Sequence, residues 1–331
     1  MRELTASRVE ADSSTIGSDR YDRQIRAFGK LGQSRLRGLT VAIVGAGGAG
    51  SLAIEGLAHL GVGRLLIIDP DRLGATNLNR VVGATPTDAA TERAKVDVAA
   101  DLVRRIDPTL PVSTFEGSVL DPTVWWALRA ADVIVGAVDN DAARWALNVF
   151  AVQYARLYLD VGVAITPGPQ GIEVAGHVAA VRPGQACLRC LHGYDSAVAA
   201  RELQPELHDA KRAEGYLTAV DDEPAPSVIF LNQAVVAIAI AEILNWVAPW
   251  KPPLTYTLID LGRTQLSALD ADADPNCPVC GPDGQRGLAD AGGHPLGAST
   301  STPPPPPPQI VAGTPDEPSE RCGTHEEPRR P

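Results

Sequence analysis

The stretch LTVAIVGAGGAG at residues 39–50 decides the fold of this chain. A short apolar run followed by glycines is typical of a buried parallel strand that ends in a phosphate-binding loop and opens a helix. Gly45 permits the tight turn, Gly47 lets backbone N–H groups approach a phosphate, and Gly50 lets helix and sheet pack closely. With Gly48 these glycines form a predicted cofactor-binding loop, which indicates a nucleotide without saying which one.

Around this loop, short apolar runs alternate with helical patterns. Strands are predicted at residues 39–44, 65–68, 112–115, 133–138 and 157–163, and helices at residues 49–60, 87–106 and 142–156. The alternation predicts an α/β fold: a Rossmann-like, mostly parallel sheet with helices on both faces. Beyond residue 165, strand-like pieces at 172–181 and 256–261 flank an apolar helix at 227–247 and predict an extension by antiparallel strands.

Length and charge narrow the possible functions. The 331 residues carry 29 Lys and Arg against 40 Asp and Glu, which gives a formal net charge of −11. This acidic balance argues against nucleic acid and anionic membranes as partners. No uninterrupted apolar run approaches about 18 residues, and the first twenty residues show no secretory pattern. We therefore expect no membrane span and a cytoplasmic location.

The two ends differ in composition from the middle. Residues 1–19 are predicted to be a disordered arm and residues 285–331 a disordered, Pro-rich tail, which leaves 20–284 as the folded unit. Residues 281–331 hold twelve of the 28 prolines, including the run 303–308. Such a run favours polyproline II and predicts a spacer, with an adaptor-binding motif as the alternative.

Polar residues follow the predicted strands at one edge of the sheet. Asp69 ends the second strand about twenty residues after the loop, where a carboxylate can accept both ribose hydroxyls. Asn77 and Arg80 follow it, and Lys95 lies early in the next helix. Asp139 comes directly after a later strand, at the carboxyl edge where open α/β proteins bind ligands.

Together these residues suit ATP with Mg²⁺ better than a nicotinamide cofactor. The cations would neutralise a polyphosphate, and Asp139 would hold the metal ion. Each has a plainer alternative: Arg80 and Lys95 as solvated surface charges, and Asp139 as a helix N-cap. An NAD(P)-binding oxidoreductase would explain the glycines and Asp69 but would leave the cations without a role. A non-catalytic binding module that has kept the fold is a third alternative, and the intact set of Arg, Lys and Asp argues against it.

Five motifs in order resemble the ThiF/MoeB/HesA adenylyltransferases, the bacterial relatives of ubiquitin-activating enzymes. They are YDRQI (21–25), GAGGAG (45–50), DPDRLGATNLNR (69–80), Lys95 and GAVDN (136–140). The resemblance covers residues 20–281. It implies ATP-dependent adenylation of a carboxylate, usually the C-terminus of a ubiquitin-like or sulfur-carrier protein, on a homodimer; a ribosomally made peptide is the alternative substrate.

The resemblance also implies the residue roles. Asp69 would hold the ribose, Asp139 would bind Mg²⁺, and Arg23 would reach the ATP of the partner subunit. The phosphates would meet three further side chains: Asn77, Arg80 and Lys95. Cations at this site would offset the repulsion between the carboxylate and the nucleotide and stabilise the departing pyrophosphate. No general base is needed for this step, because carboxylates are ionised at neutral pH.

Four of the five cysteines form two C-x-x-C pairs: Cys187, Cys190, Cys277 and Cys280. Four thiolates suit a closed, structural Zn²⁺ site, with a redox pair as the alternative. The resemblance, which places zinc-binding pairs at matching positions, favours zinc.

The family often has another cysteine, before the long helix, that takes the acyl group as a thioester. Here residues 191–227 contain none, and the only other cysteine is Cys322 in the predicted tail. We therefore predict that the enzyme releases or hands over an acyl-adenylate and does not hold the acyl group as a thioester. The resemblance implies that the loop at 203–226 covers the substrate channel.

Overall fold

The apolar run before the glycines forms β1 (Thr40–Val44), a central strand of the sheet. A computed structural model describes residues 18–168, 171–204 and 226–297. Within these residues eight strands form one sheet in the order β3-β2-β1-β4-β5-β6-β7-β8. The other strands are β2 (Arg64–Ile68), β3 (Val112–Phe115), β4 (Val133–Gly136), β5 (Leu157–Gly168), β6 (Gly171–Val181), β7 (Tyr256–Asp260) and β8 (Gln265–Leu269).

The first five strands pair in parallel, and β5 through β8 pair antiparallel, so the predicted fold class is confirmed. From β1 the chain passes outward to β2 and β3 and then returns to β4 on the other side of β1. The space between the carboxyl ends of β1 and β4 is therefore a topological switch point, the place where open α/β sheets bind ligands.

Helices cover both faces of the sheet. Within the described residues they are α1 (Ser18–Arg37), α2 (Gly48–Leu60), α3 (Pro86–Ala90), α4 (Lys95–Ile106), α5 (Pro122–Leu128), α6 (Asp141–Gln153), α7 (Ser196–Glu202) and α8 (Ile229–Val247). One apolar core lies between the sheet and α2, α4 and α8. A second core, on the opposite face, includes α5, α6 and three of the paired cysteines.

Helix α8 is a core helix with an unusual composition. At 19 residues, this helix is long and apolar enough to cross a membrane, judged by length and composition alone. The sequence analysis did not expect such a helix. Val235, Ala239 and Ile243 are nevertheless buried in the first core. Its buried Glu242 pairs with Arg182 at 2.6 Å. These contacts explain the apolar composition by packing within the fold.

The helix predicted over 87–106 is wrong in one respect, because the structure divides it into α3 and α4. The connecting residues turn toward the loop after β2: Leu73 N–H donates to the Arg93 carbonyl at 2.8 Å, and Lys95 N–H donates to the Asp71 carbonyl at 3.0 Å. Glu92 in this turn has a φ of +47°. The break makes Lys95 the first residue of α4, facing the end of β2.

The C-terminal boundary also differs from the prediction, which placed a disordered tail from residue 285. Residues 285–297 are folded onto the second core, and Gln153 donates from Nε2 to the carbonyls of Ala289 and Gly293. His294 is buried with its ring 5.0 Å from that of Trp125. The sequence analysis also missed β8, the return strand of a hairpin with β7. Most of the predicted arm, residues 205–225 of the predicted loop over 203–226, and the tail from 298 lie outside the described residues.

Candidate functional site

The glycine loop lies where β1, β2 and β4 end. Gly45 has a φ of +91°, and a Cβ there would overlap the Ala137 carbonyl after β4. A Cβ at Gly50 would overlap the Gly45 carbonyl, so both glycines are needed for close packing. No atom lies within 4 Å of a Cβ built at Gly47, which leaves the backbone of the loop open to a ligand. The loop thus has the space that phosphate binding requires.

Asp69 joins the end of β2 to this loop. Its carboxylate is buried and accepts from Ala46 N–H at 2.5 Å and from Asp71 N–H at 2.8 Å. Burial raises the pKa of Asp69 above its usual value, and the Lys95 ammonium and the two N–H donors oppose that shift. Each carboxylate oxygen has a second lone pair, so the group can still accept ribose hydroxyls.

The predicted cations lie on the same side of the sheet. Lys95 Nζ is 2.7 Å from Asp71 Oδ2 and is nearly buried, with 10% of its side chain exposed. The aliphatic stem of Arg80 lies against Gly48, and its Nη1 donates to the Thr76 carbonyl at 2.6 Å. The Arg80 stem therefore borders the glycine loop, and the Lys95 ammonium lies close enough to Asp69 to lower its pKa.

Asn77 has a structural bond in addition to its predicted role. Its Oδ1 accepts from Gly74 N–H at 2.9 Å and closes the 3-10 turn Ala75–Asn77. The carboxamide NH₂ is the part that can serve a ligand, since an amide offers two donors.

Asp139 lies at the carboxyl edge beside the loop, two residues after the Ala137 carbonyl that contacts Gly45. Its alternative role as a helix cap falls to Asn140, whose Oδ1 accepts from Ala143 N–H at 2.8 Å. Asp139 is exposed, and its one hydrogen bond to a described residue comes from Asn140 at 3.5 Å. Its carboxylate is therefore available to a cation.

Arg23 is the predicted residue that the single chain does not bring to the site. It is exposed on α1, between Tyr21 and Gln24. Tyr21 packs against Gly61, and Gln24 Nε2 donates to the Leu60 carbonyl at 2.9 Å, so this part of α1 lies at the C-terminal end of α2. The glycine loop is at the other end of α2, about 18 Å away at 1.5 Å per residue.

The four paired cysteines meet on the second core. Their ligand atoms all lie within 4.8 Å of one another. Three Sγ–Sγ distances are 3.5 Å for Cys190–Cys280, 3.7 Å for Cys187–Cys277 and 3.9 Å for Cys187–Cys190. Tetrahedral coordination with Zn–S bonds of about 2.3 Å requires sulfurs about 3.8 Å apart. The cluster therefore fits a zinc ion in size, ligand number and chemistry.

The sequence analysis missed two features of this edge. Asn232, at the start of α8, is buried with its side chain against Gly48. Beside Gly136, the last residue of β4, buried Asp160 contacts Tyr158, His177 and Arg144. Asp160 did leave a signal, since it is a charged residue within an otherwise apolar strand.

Comparisons with known proteins agree with this architecture. A sequence model of the ThiF family matches residues 21–279. The SAMP-activating enzyme E1 of Haloferax volcanii is 29% identical over 278 residues, which cover 82% of this chain and 92% of that protein. Ubiquitin-like modifier-activating enzyme 5 of Arabidopsis thaliana is 31% identical over 199 residues, but the match spans only 44% of that protein.

Among solved structures, Escherichia coli MccB with ATP superposes with a TM-score of 0.63. The match covers 80% of this chain and 75% of MccB at 20% identity. At that identity the likeness shows the fold alone. Another crystal structure contains MccB with MccA.

Proposed function

This chain belongs to the ThiF family and is an adenylyltransferase of the type that activates ubiquitin-like modifiers, and from that premise we propose that it uses ATP and Mg²⁺ to adenylate the C-terminal carboxylate of a small ubiquitin-like or sulfur-carrier protein. The products are an acyl-adenylate and pyrophosphate. The observation that carries the proposal is the meeting of the glycine loop, Asp69, Arg80, Lys95 and Asp139 at one switch point.

Each group has a separate task in this reaction. The loop holds the phosphates, Asp69 the ribose, and Asp139 a Mg²⁺ ion. Arg80 and Lys95 bring positive charge to the phosphates, with Asn77 as a neutral donor. When the carboxylate attacks the α-phosphorus, negative charge builds on the leaving pyrophosphate, and cations already in place stabilise that charge.

The position of Arg23 supports a homodimer. Because α1 holds Arg23 at the far end of α2, its guanidinium does not reach the nucleotide of its own chain. A partner subunit that presents its own α1 to this edge would supply the missing cation. We assign Arg23 to the partner's site on that ground.

We further propose that the four-cysteine cluster holds a structural Zn²⁺ ion. Burial raises the pKa of the Cys187 thiol, so a neighbouring cation is needed for a thiolate at neutral pH. A bound ion would connect the residues after β6 to those after β8, because each C-x-x-C pair supplies two ligands.

Among the described residues, no cysteine is left to form a thioester. All the cysteines among the described residues belong to the cluster, and Cys322 lies outside them. We propose that the enzyme passes on or releases the acyl-adenylate.

A ribosomally made peptide is the second candidate substrate, favoured by the likeness to MccB, which has been crystallised with MccA. ATP–pyrophosphate exchange separates the candidates, because exchange needs only the correct carboxylate. The probes are a ubiquitin-like protein ending in Gly-Gly, the same protein with the carboxylate amidated as the matched control, and an N-formylated peptide with a free C-terminal carboxylate.

We expect exchange with the Gly-Gly protein and none with its amide. Exchange with the peptide alone would establish the second candidate. If no probe supports exchange and the protein binds NADH instead of ATP, the adenylation proposal is wrong.

A further inference from the structure

A buried carboxylate lies beneath the end of β4. Asp160 is fully buried. Its Oδ1 accepts from Tyr158 Oη at 2.7 Å and lies 3.4 Å from Arg144 Nε, while its Oδ2 is 2.8 Å from His177 Nε2. Burying an ion without partners is costly, and these contacts offset that cost. The described contacts of the proposed adenylation site make no use of this cluster.

The cluster lies next to that site. Asp160 pairs with Gly136, the last residue of β4, and His177 pairs with Gly162. Since Gly162 is two residues beyond Asp160, His177 lies about 7 Å past the end of β4, on the side where Asp139 lies. Arg144 connects the Asp160 cluster to the segment that carries Asp139. Its Nη2 donates to the carbonyl of Val138, the residue before Asp139, at 3.2 Å.

His177 is held in one orientation. Its ring stacks on Tyr256 with centroids 5.4 Å apart and planes at 12°, and it lies over Gly162, where a Cβ would overlap it. A carboxylate only accepts hydrogen bonds, so Asp160 fixes the imidazole proton on Nε2. Nδ1 then carries a lone pair, and no described residue is bonded to it. With 18% of its side chain exposed, His177 is a partly accessible imidazole backed by a buried carboxylate.

The adenylation step needs no base, but the transfer that follows does. An amine, thiol or water that attacks the acyl-adenylate forms a bond to the carbonyl carbon, the bond from that carbon to AMP oxygen breaks, and one proton leaves the nucleophile. We propose that His177, oriented by Asp160, is the general base that takes this proton on Nδ1 and returns it to solvent, while AMP departs with the bonding electrons. This inference rests on the proposed function, and it assigns His177 to the second half-reaction, the transfer of the acyl group from AMP.

The test measures the two half-reactions separately, with whichever carboxylate probe supports pyrophosphate exchange. His177→Gln keeps a donor for Asp160 but cannot take up the proton. Single-turnover decay of the enzyme-bound acyl-adenylate is followed after addition of glycinamide, with N-acetylcysteamine and water as the other acceptors. His59→Gln, an exposed histidine at the far end of α2, is the matched control.

Because a general base contributes roughly 10²–10⁴-fold, we expect transfer in His177→Gln to slow at least ~100-fold while exchange falls less than ~3-fold. Added imidazole should restore part of the transfer rate in His177→Ala, which a purely structural role would not explain. Unchanged transfer in His177→Gln, or equal losses of transfer and exchange, would overturn the inference. Absence of exchange with the unaltered protein would overturn the proposed function instead.

Discussion

Replacing Lys95 by Met removes the ammonium group beside Asp69 and keeps an apolar stem of similar length. Loss of the ion pair with Asp71 should lower the free energy of unfolding by at most about 1 kcal/mol, because water screens an ion pair whose partner is exposed. Asp71 is 61% exposed, so this limit applies. The fold should therefore survive with a small fall in melting temperature.

The effect on activity should be much larger. If Lys95 stabilises charge on the phosphates in the transition state, its loss should slow ATP–pyrophosphate exchange at least ~100-fold, about 2.7 kcal/mol. Removing the ammonium should also raise the pKa of Asp69 further, since Lys95 lowers it in the intact protein.

Arg93→Met is the matched control. Arg93 lies two residues before Lys95 and pairs with Asp88 at 2.9 Å and Asp101 at 2.8 Å, away from the glycine loop. It should lose a comparable amount of stability and keep its exchange rate. The reasoning fails if Lys95→Met exchanges within threefold of the unaltered enzyme, or if Arg93→Met loses as much activity as Lys95→Met.

Four other results are expected. Arg23→Ala and Asp139→Ala should each be inactive, yet their mixture should regain about one quarter of the sites, since half the dimers are mixed and each has one intact site; no recovery after subunit exchange would argue against a shared site. Elemental analysis should find one zinc per chain, and Cys190→Ser should lose it and melt at a lower temperature, with Cys322→Ser unaffected; zinc-free native protein would refute the metal site. Cys322→Ala should keep full adenylation and transfer, and a thiol-sensitive adduct that disappears in this variant would contradict the absence of a thioester. Because burial raises the pKa of Asp69, titration of nucleotide affinity should show a fall on acidification that begins above the usual carboxyl range; Asp69→Asn should bind weakly with no such fall, and a flat profile in the unaltered enzyme would exclude this role.

The sequence predicted a feature best where that feature depends on residues close together in the chain. The strands β1, β2 and β4 are short apolar runs bounded by turn residues, so their patterns show them directly. The break between α3 and α4 is not visible in this way, because it depends on hydrogen bonds between Arg93 or Lys95 and the distant loop after β2. The folding of residues 285–297 likewise depends on partners on α5 and α6, above all the burial of His294 against Trp125.

By itself the sequence determined the α/β class, the glycine loop, the family resemblance and the two cysteine pairs, because each is a pattern of residue types at fixed spacing. Tertiary structure alone decided which of these residues meet. It brought four thiols from distant segments within 4.8 Å of one another. It gave the N-cap role to Asn140, which leaves the Asp139 carboxylate available, and it placed Arg23 at the end of α2 far from its own site. It also showed that Asp160 and His177 pair, since only strand register places a residue of β6 against one of β5.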